Sequence, residues 1–311
     1  MKNVSVLIVI IVVLCTTMAS AASAAQSNIQ RVGKADIEVL IDGRKISFPD
    51  ARPFADANKR VLIPIRFIAE GLGAKVDWVG GGAQTVKISL GDKFIQLTVG
   101  HAKALVNNAE KTFDTKAITK SDRTFVPLRF VSEALGQPVE WDSVSSWVWV
   151  GEKKIYTPEE LGLEPESVDD YKEYFRNDMY LLNSTSGELK KSIYFISKDQ
   201  LPLKVDDRII YDLWLSTDGM YTGIQMRYEG KDFIIYYLTK DKKLRYRGGV
   251  NGLFKDNSDG TRIASYKIIH AGDEHASVKD KKYMNFKLGD IKFITFHISD
   301  DSIIALKNPF K

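Results

Sequence analysis

The chain has one cysteine, Cys15, and four histidines in 311 residues. A single thiol excludes a disulfide framework and a cysteine-built zinc site, and so few imidazoles leave little material for a multi-metal enzyme. An excess of one charge is also missing. The 44 Lys and Arg stand against 40 Asp and Glu, a net charge of +4 that gives no electrostatic footprint for nucleic acid. There is no nucleophile elbow, phosphate loop, zinc-protease helix or Ser/His/Asp set at a known spacing. Near the N-terminus, the apolar run Val4 to Leu14, broken only by Ser5, is about 11 residues long. It falls short of the roughly 20 needed to span a bilayer.

With Lys2 ahead of that run and Met18-Ala-Ser-Ala-Ala-Ser-Ala-Ala25 behind it, residues 1–25 read as a secretory signal cleaved at Ala24 or Ala25. An uncleaved anchor is the alternative. Lipidation at Cys15 would want a small residue where Leu14 stands. Cleavage near Ala25 leaves a mature chain without thiols, which suits an oxidising compartment. The expectation is a secreted or cell-wall-associated protein with no membrane span after signal cleavage.

At 44% hydrophobic and 27% charged, the length accommodates two globular domains. All 13 tyrosines lie in 156–311, while Trp78, Trp141, Trp147 and Trp149 lie before them. This step in composition places a boundary near 153–166, where Thr157-Pro-Glu-Glu160 is a capping box.

The first half repeats itself. Residues 59–78 align with 122–141 at a constant offset of 63, with nine of twenty positions identical. Pro64 and Pro127 suit the start of a helix. Ile65, Ile68 and Leu72 share one helical face, as do Leu128, Val131 and Leu135. Gly73 and Gly136 suit the left-handed position that ends a helix. Trp78 and Trp141 close the strand that follows. Further strands are expected at Ile37–Ile41, Val86–Leu90, Phe94–Val99, Leu105–Val106 and Trp147–Val150. The unit predicted is a short helix on an antiparallel sheet, made twice.

The pattern around Arg123-Thr-Phe-Val-Pro-Leu-Arg-Phe130, followed by Glu133, Gly136 and Trp141, resembles the copper amine oxidase-like N-terminal domain, or stalk domain. So does its drifted copy around Arg60, Pro64, Arg66, Glu70, Gly73 and Trp78. The resemblance covers residues 35–152 and implies a module common in exported proteins of Gram-positive bacteria. In the amine oxidases it is an appendage remote from the copper and the tyrosine-derived topaquinone. That chemistry needs an Asn-Tyr-Asp/Glu site and three histidine ligands. The chain has no Asn-Tyr dipeptide, and its first half offers only His101. No cofactor is expected.

Arg66 with Glu70, and Arg129 with Glu133, are spaced i, i+4. They read as structural pairs with the arginine stems on the sheet and the heads on turn carbonyls, rather than as recognition arginines. Arg60 and Arg123 read the same way. Trp78 and Trp141 read as wedges between helix and sheet, with a ligand-stacking face as the alternative.

The second half, 167–311, is expected to open with an amphipathic helix capped by Ser167, with Val168, Tyr171, Phe175 and Leu182 on its apolar face. Strands follow near 192–197, 208–215, 221–228, 233–239, 243–247, 262–270, 283–288, 292–298 and 303–306, as an antiparallel meander, curled or barrel-like. His270, Asp273, Glu274 and His275 are a conceivable metal set, against a solvated loop. Asp256-Asn-Ser-Asp-Gly260 looks calcium-like but has the glycine register of a hairpin. The tyrosines, including Tyr211, Tyr221, Tyr246 and Tyr283, read as sheet packing, against an aromatic platform.

The fold class expected is α+β, with a signal peptide, a two-repeat module and a β-rich domain of no recognised family. The functional expectation is an exported, non-catalytic binding or structural protein engaging a cell-envelope polymer, extracellular polymer or another exported protein. The alternative is an envelope-directed hydrolase with catalytic carboxylates in 157–311, and a third reading is a metal sensor using His270 and His275.

Overall fold

The computed structural model describes residues 29–80, 84–184, 187–248, 254–275, 278–297 and 302–310. The expected signal segment, with Cys15, lies outside them. The chain divides into two compact units. One is Ala35–Lys154. The other joins Ile155–Lys311 to the segment before Ala35.

In the first unit each sequence repeat folds as strand, helix, strand. Pro64 and Pro127 end the strands Val61–Pro64 and Arg123–Pro127 in extended conformation and cap α1 (Ile65–Gly71) and α2 (Leu128–Ala134). A ring-locked φ serves both states, and the missing amide donor is one a helix start leaves unpaired anyway. The helices stop alike. Gly73 and Gly136 take φ +72° and +81°, so that Gly73 donates to the Glu70 carbonyl and Ala74 to that of Ala69. Gly136 and Gln137 do the same with Glu133 and Ser132.

The two repeats meet through their strands. Val61–Pro64 and Arg123–Pro127 pair antiparallel, Leu62 opposite Pro127, Ile63 opposite Val126 and Pro64 opposite Phe125. At an offset of 63, Val126 is the repeat equivalent of Ile63, so a local pseudo-twofold axis passes through that pair. Both side chains are fully buried, in a core with Ile65, Ile68, Leu128 and Val131.

The expectation of a short helix on an antiparallel sheet, made twice, holds only in part. Among the described residues the unit has three sheets, one of five strands from Ala109–Thr112 to Lys75–Val79 and two of four. One of the latter runs Val139–Asp142, Trp147–Val150, Glu38–Ile41, Arg44–Lys45, with Trp147–Val150 parallel to Glu38–Ile41. These two strands are about a hundred residues apart in sequence, so no hairpin dictates their direction. Lys75–Val79 and Val139–Asp142, the strands leaving α1 and α2, are both sheet edges.

The second unit is two six-stranded sheets sharing a core, not a single meander or barrel. One runs Gln30–Arg31, Arg208–Thr217, Thr222–Glu229, Arg262–Lys267, Phe254–Asp256, with Leu203–Val205 also on Arg208–Thr217. The other runs Glu166–Ser167, Ser192–Ile196, Ser302–Lys307, Ile291–His297, Ile234–Thr239, Leu244–Arg247. Ile210, Leu213, Met226 and Tyr266 of the first interdigitate with Ile235, Tyr237, Ile294 and Leu306 of the second. The other face of the second sheet is covered too, by Val168, Tyr174, Phe175 and Leu182. Burial on both faces explains why Ser302–Lys307 reads as a continuous apolar run rather than an alternation.

Three expectations fail here. The amphipathic helix is two 3₁₀ segments, Val168–Phe175 and Met179–Leu182. Val168, Tyr174 and Phe175 are buried there, and Tyr171 is only half-buried. The strand expected at 283–288 is 3₁₀ as well, at Tyr283–Asn285 and Leu288–Asp290. Asp280 and Asp290 accept from the amides of Lys282 and Lys287, and such local bonds compete with a ladder. Residues 153–166 are not a free linker beyond Lys154. Thr157 and Glu160 form their capping box, Leu161 and Leu163 pack on the core, and the Tyr156 carbonyl accepts from Lys204.

The two helix stops separate two costs. Gly73→Ala meets open space and should lose only the left-handed penalty, about 1–2 kcal/mol. Gly136→Ala carries that penalty and also displaces Lys93, whose Nζ donates to the Leu135 carbonyl at 3.0 Å. Urea unfolding should show Gly136→Ala as the more destabilised of the two.

Candidate functional site

In the Ala35–Lys154 unit a cavity of about 790 Å³ opens against α2. Its apolar wall includes Phe113 and Phe130, stacked at 4.3 Å, with Val139 and Trp141 from the edge strand. Its charged members are Lys59, an Arg60–Asp114 ion pair, and Arg129 with Glu133 at 4.0 Å. The cavity is therefore built from both repeats. Arg60 and Lys59 precede the strand of the first, and α2 with its following strand belongs to the second.

Two sequence expectations are corrected by this arrangement. Trp78 and Trp141 are not wedges; they are 47% and 42% exposed. A seven-residue helix is only ~10 Å long and ends before it can cover an indole two residues beyond the half-buried valine, Val76 or Val139. The buried indoles of this unit are Trp147 and Trp149. Nor do the helix arginines lie on the sheet. Arg129 and Glu133 are 60% and 56% exposed, and Arg66 and Glu70 are exposed as well. An exposed pair at 4.0 Å contributes at most a few tenths of a kcal/mol, so stability does not account for it.

Of the motif residues, the cavity thus gathers Arg60, Pro127, Arg129, Glu133 and Trp141. Pro64, Gly73 and Gly136 serve the backbone turns described above. Arg123 pairs with Asp50, its Nε at 3.0 Å, and holds that carboxyl below its ordinary range, with Arg66 adding to the effect. Lys59, Phe113, Asp114 and Phe130 were not singled out from the sequence. Only the Phe130 position, shared with Phe67 by the repeat, carried a signal.

The His270–His275 set does not converge. The His270 ring accepts from the Gly272 amide at 3.0 Å, and His275 is exposed, 3.7 Å from Glu274. Asp273 is not in a solvated loop; it is 2% exposed. Both its oxygens are taken by guanidinium groups, Arg247 at 2.8 Å to each and Arg245 at 2.6 Å, while Arg245 also reaches Asp280 at 2.5 Å. Phe286 lies 4.0 Å from the Arg245 guanidinium. The legible signal was the Arg245-Tyr-Arg247 alternation, which puts both arginines on one sheet face. Among the described residues no group of three or more His, Cys, Asp or Glu side chains is placed to hold a metal ion. Asp259 of the calcium-like turn bonds Arg227 and Thr261.

The tyrosines divide by burial. Tyr228, Tyr237 and Tyr266 are buried, and the Tyr228 hydroxyl donates to Asp232 at 2.7 Å, with burial and that carboxylate pushing its phenol up. Tyr221 and Tyr246 are exposed, while Tyr211 and Tyr283 are intermediate. A second cavity, about 270 Å³, lies among Tyr174, Arg176, Asp178, Lys242, Lys243 and Leu244, with Asp178 its one carboxylate.

Residues 40–149 match the family model described as the copper amine oxidase N-terminal domain, so the unit that holds the larger cavity carries that domain. In amine oxidases the domain by itself is non-catalytic. No curated protein matches the chain. Among the described residues no helix is long and apolar enough to cross a membrane.

Asp273→Asn should leave two buried guanidinium groups undercompensated and cost about 3–5 kcal/mol in chemical denaturation. A second expectation concerns pH. Arg245 holds the Asp280 carboxyl below its ordinary 3.8, so the pair stabilises the fold at pH above that value and the contribution is lost as pH falls through the folded pKa. Asp280→Asn should flatten the loss of stability on acidification below the ordinary carboxylate range, read from denaturation midpoints.

Proposed function

We propose that the protein is an exported, non-catalytic binding protein of the bacterial cell surface that holds an envelope polymer in the groove beside α2. One observation carries the reading. An apolar cavity of about 790 Å³ presents a half-exposed indole, Trp141, together with arginine and glutamate side chains whose exposure no packing or ion-pair gain explains. A mostly apolar concavity with a few convergent polar groups is the usual form of a binding site. The secretory pattern of residues 1–25 supports the location.

The hydrolase reading needs two facing carboxylates in 157–311, about 5–9.5 Å apart. The cavity found there offers one, Asp178, beside three cations. Binding is the better-supported reading.

Co-sedimentation of the full chain with isolated Gram-positive cell walls, followed by assay of the supernatant for released sugars and peptides, tests it. Binding without release is expected. Trp141→Ala should weaken binding at least tenfold, ~1.4 kcal/mol, while its melting temperature stays near that of the parent because the side chain is already about half in solvent. Release abolished by Asp178→Asn would transfer the function to the second unit and overturn the proposal.

A further inference from the structure

The two repeats share nine of twenty positions. Four of those nine are explained by folding alone. The prolines, glycines, leucines and valines make the turns and the core, but Arg66/Arg129, Glu70/Glu133 and Trp78/Trp141 are exposed in both copies. A residue kept in two diverged copies and pointed at solvent in both is not kept for packing.

The surroundings of the two helices correspond as well. Beside α2, Phe113 packs on Phe130 at 4.3 Å and Asp114 pairs with Arg60. Beside α1, Phe48 packs on Phe67 at 5.5 Å and Asp50 pairs with Arg123. Arg60 and Arg123 are repeat equivalents, as are Phe67 and Phe130. In each case the arginine of one repeat adjoins the helix of the other, as the axis through Ile63 and Val126 requires. Even the residues ahead of the arginines share a left-handed backbone, Lys59 at φ 60° and Asp122 at φ 56°.

We infer that the domain carries a second binding site, around Trp78, Arg66 and Glu70, and that the two sites engage a glycan polymer of repeating units. This rests on the reading of the Trp141 groove as a binding site. The chemistry favours a glycan. A pyranose offers an apolar C–H face to an indole and hydroxyls at its rim to the planar forks of Arg and Glu. A ligand met twice by the same three side chains presents the same unit more than once. The sites are unequal in charge. Lys59 lines the Trp141 groove without a carboxylate partner among the described ion pairs, while Asp122 holds the corresponding position in the other. A sugar unit bearing a carboxylate therefore fits the Trp141 site better. Because the sites are related by a twofold axis, a directional strand runs through them in opposite senses, so one molecule bridges two strands.

The probe is peptidoglycan glycan stripped of its peptides, alternating N-acetylated hexosamines with a lactyl carboxylate, used as a tetrasaccharide for calorimetry and as long strands for light scattering. The full chain should take up two tetrasaccharides, the tighter at least tenfold stronger, and should cluster long strands. Trp78→Ala should keep the tight site, lose the weak one and abolish clustering. Trp141→Ala should leave only the weak site. Both variants should melt with the parent. One site per molecule, unchanged by Trp78→Ala, would overturn the second site while leaving the Trp141 groove in place. Saturation of both sites by free stem peptide rather than by the glycan would overturn the ligand class. No binding of the tetrasaccharide by the parent, with intact cell walls still bound, would overturn this inference alone; no binding of either would overturn both readings.

Discussion

The pairing of Val61–Pro64 with Arg123–Pro127 is the constraint on which the first unit depends. Its central pair, Ile63 and Val126, is fully buried and joins two copies of one motif edge to edge, so that each helix leaves its strand at a related point on a shared core. Everything at the candidate site follows from that join. Arg60 reaches α2 because its strand lies beside the strand that leads into α2, and Arg123 lies near Arg66 for the same reason. A single repeat would not have the groove beside α2.

The helices matter by being short. Two turns bury one apolar face, with Ile65 and Ile68 or Leu128 and Val131, and stop at a glycine before they can cover the tryptophan of the next strand. An indole left half in water costs hydrophobic stabilisation of order 1 kcal/mol. Such an outlay is characteristic of surfaces that are covered by something else.

The second unit solves a different problem. Its central sheet is covered on both faces, and charged groups within it are held as a neutral cluster in which Asp273 and Asp280 answer Arg245 and Arg247. Burying those guanidinium groups is tolerable only because their charges are matched and hydrogen-bonded. The candidate metal set was legible as a clustering of His, Asp and Glu, yet its one buried member is committed to arginines from a strand more than twenty residues earlier. That pairing is a long-range fact with no local signature.

The local elements were largely readable from the chain. Proline before and glycine after each helix, the three- and four-residue apolar spacing, and the strands at Trp147–Val150 and Ser192–Ile196 are all set by sterics and periodicity within a few residues. The repeat, and hence the domain that residues 40–149 match, was legible too, because identity at constant offset needs no structure. Tertiary structure alone decided the parallel pairings of Trp147–Val150 with Glu38–Ile41 and of Ser192–Ile196 with Ser302–Lys307, the two-sheet second unit that takes in Gln30–Arg31, the 3₁₀ geometry after Ser167, and which side of each repeat faces water. Those depend on contacts between residues far apart in sequence, and periodicity says that a face is apolar without saying what comes to cover it. Trp78 and Trp141 are left about half uncovered by the described residues of the domain.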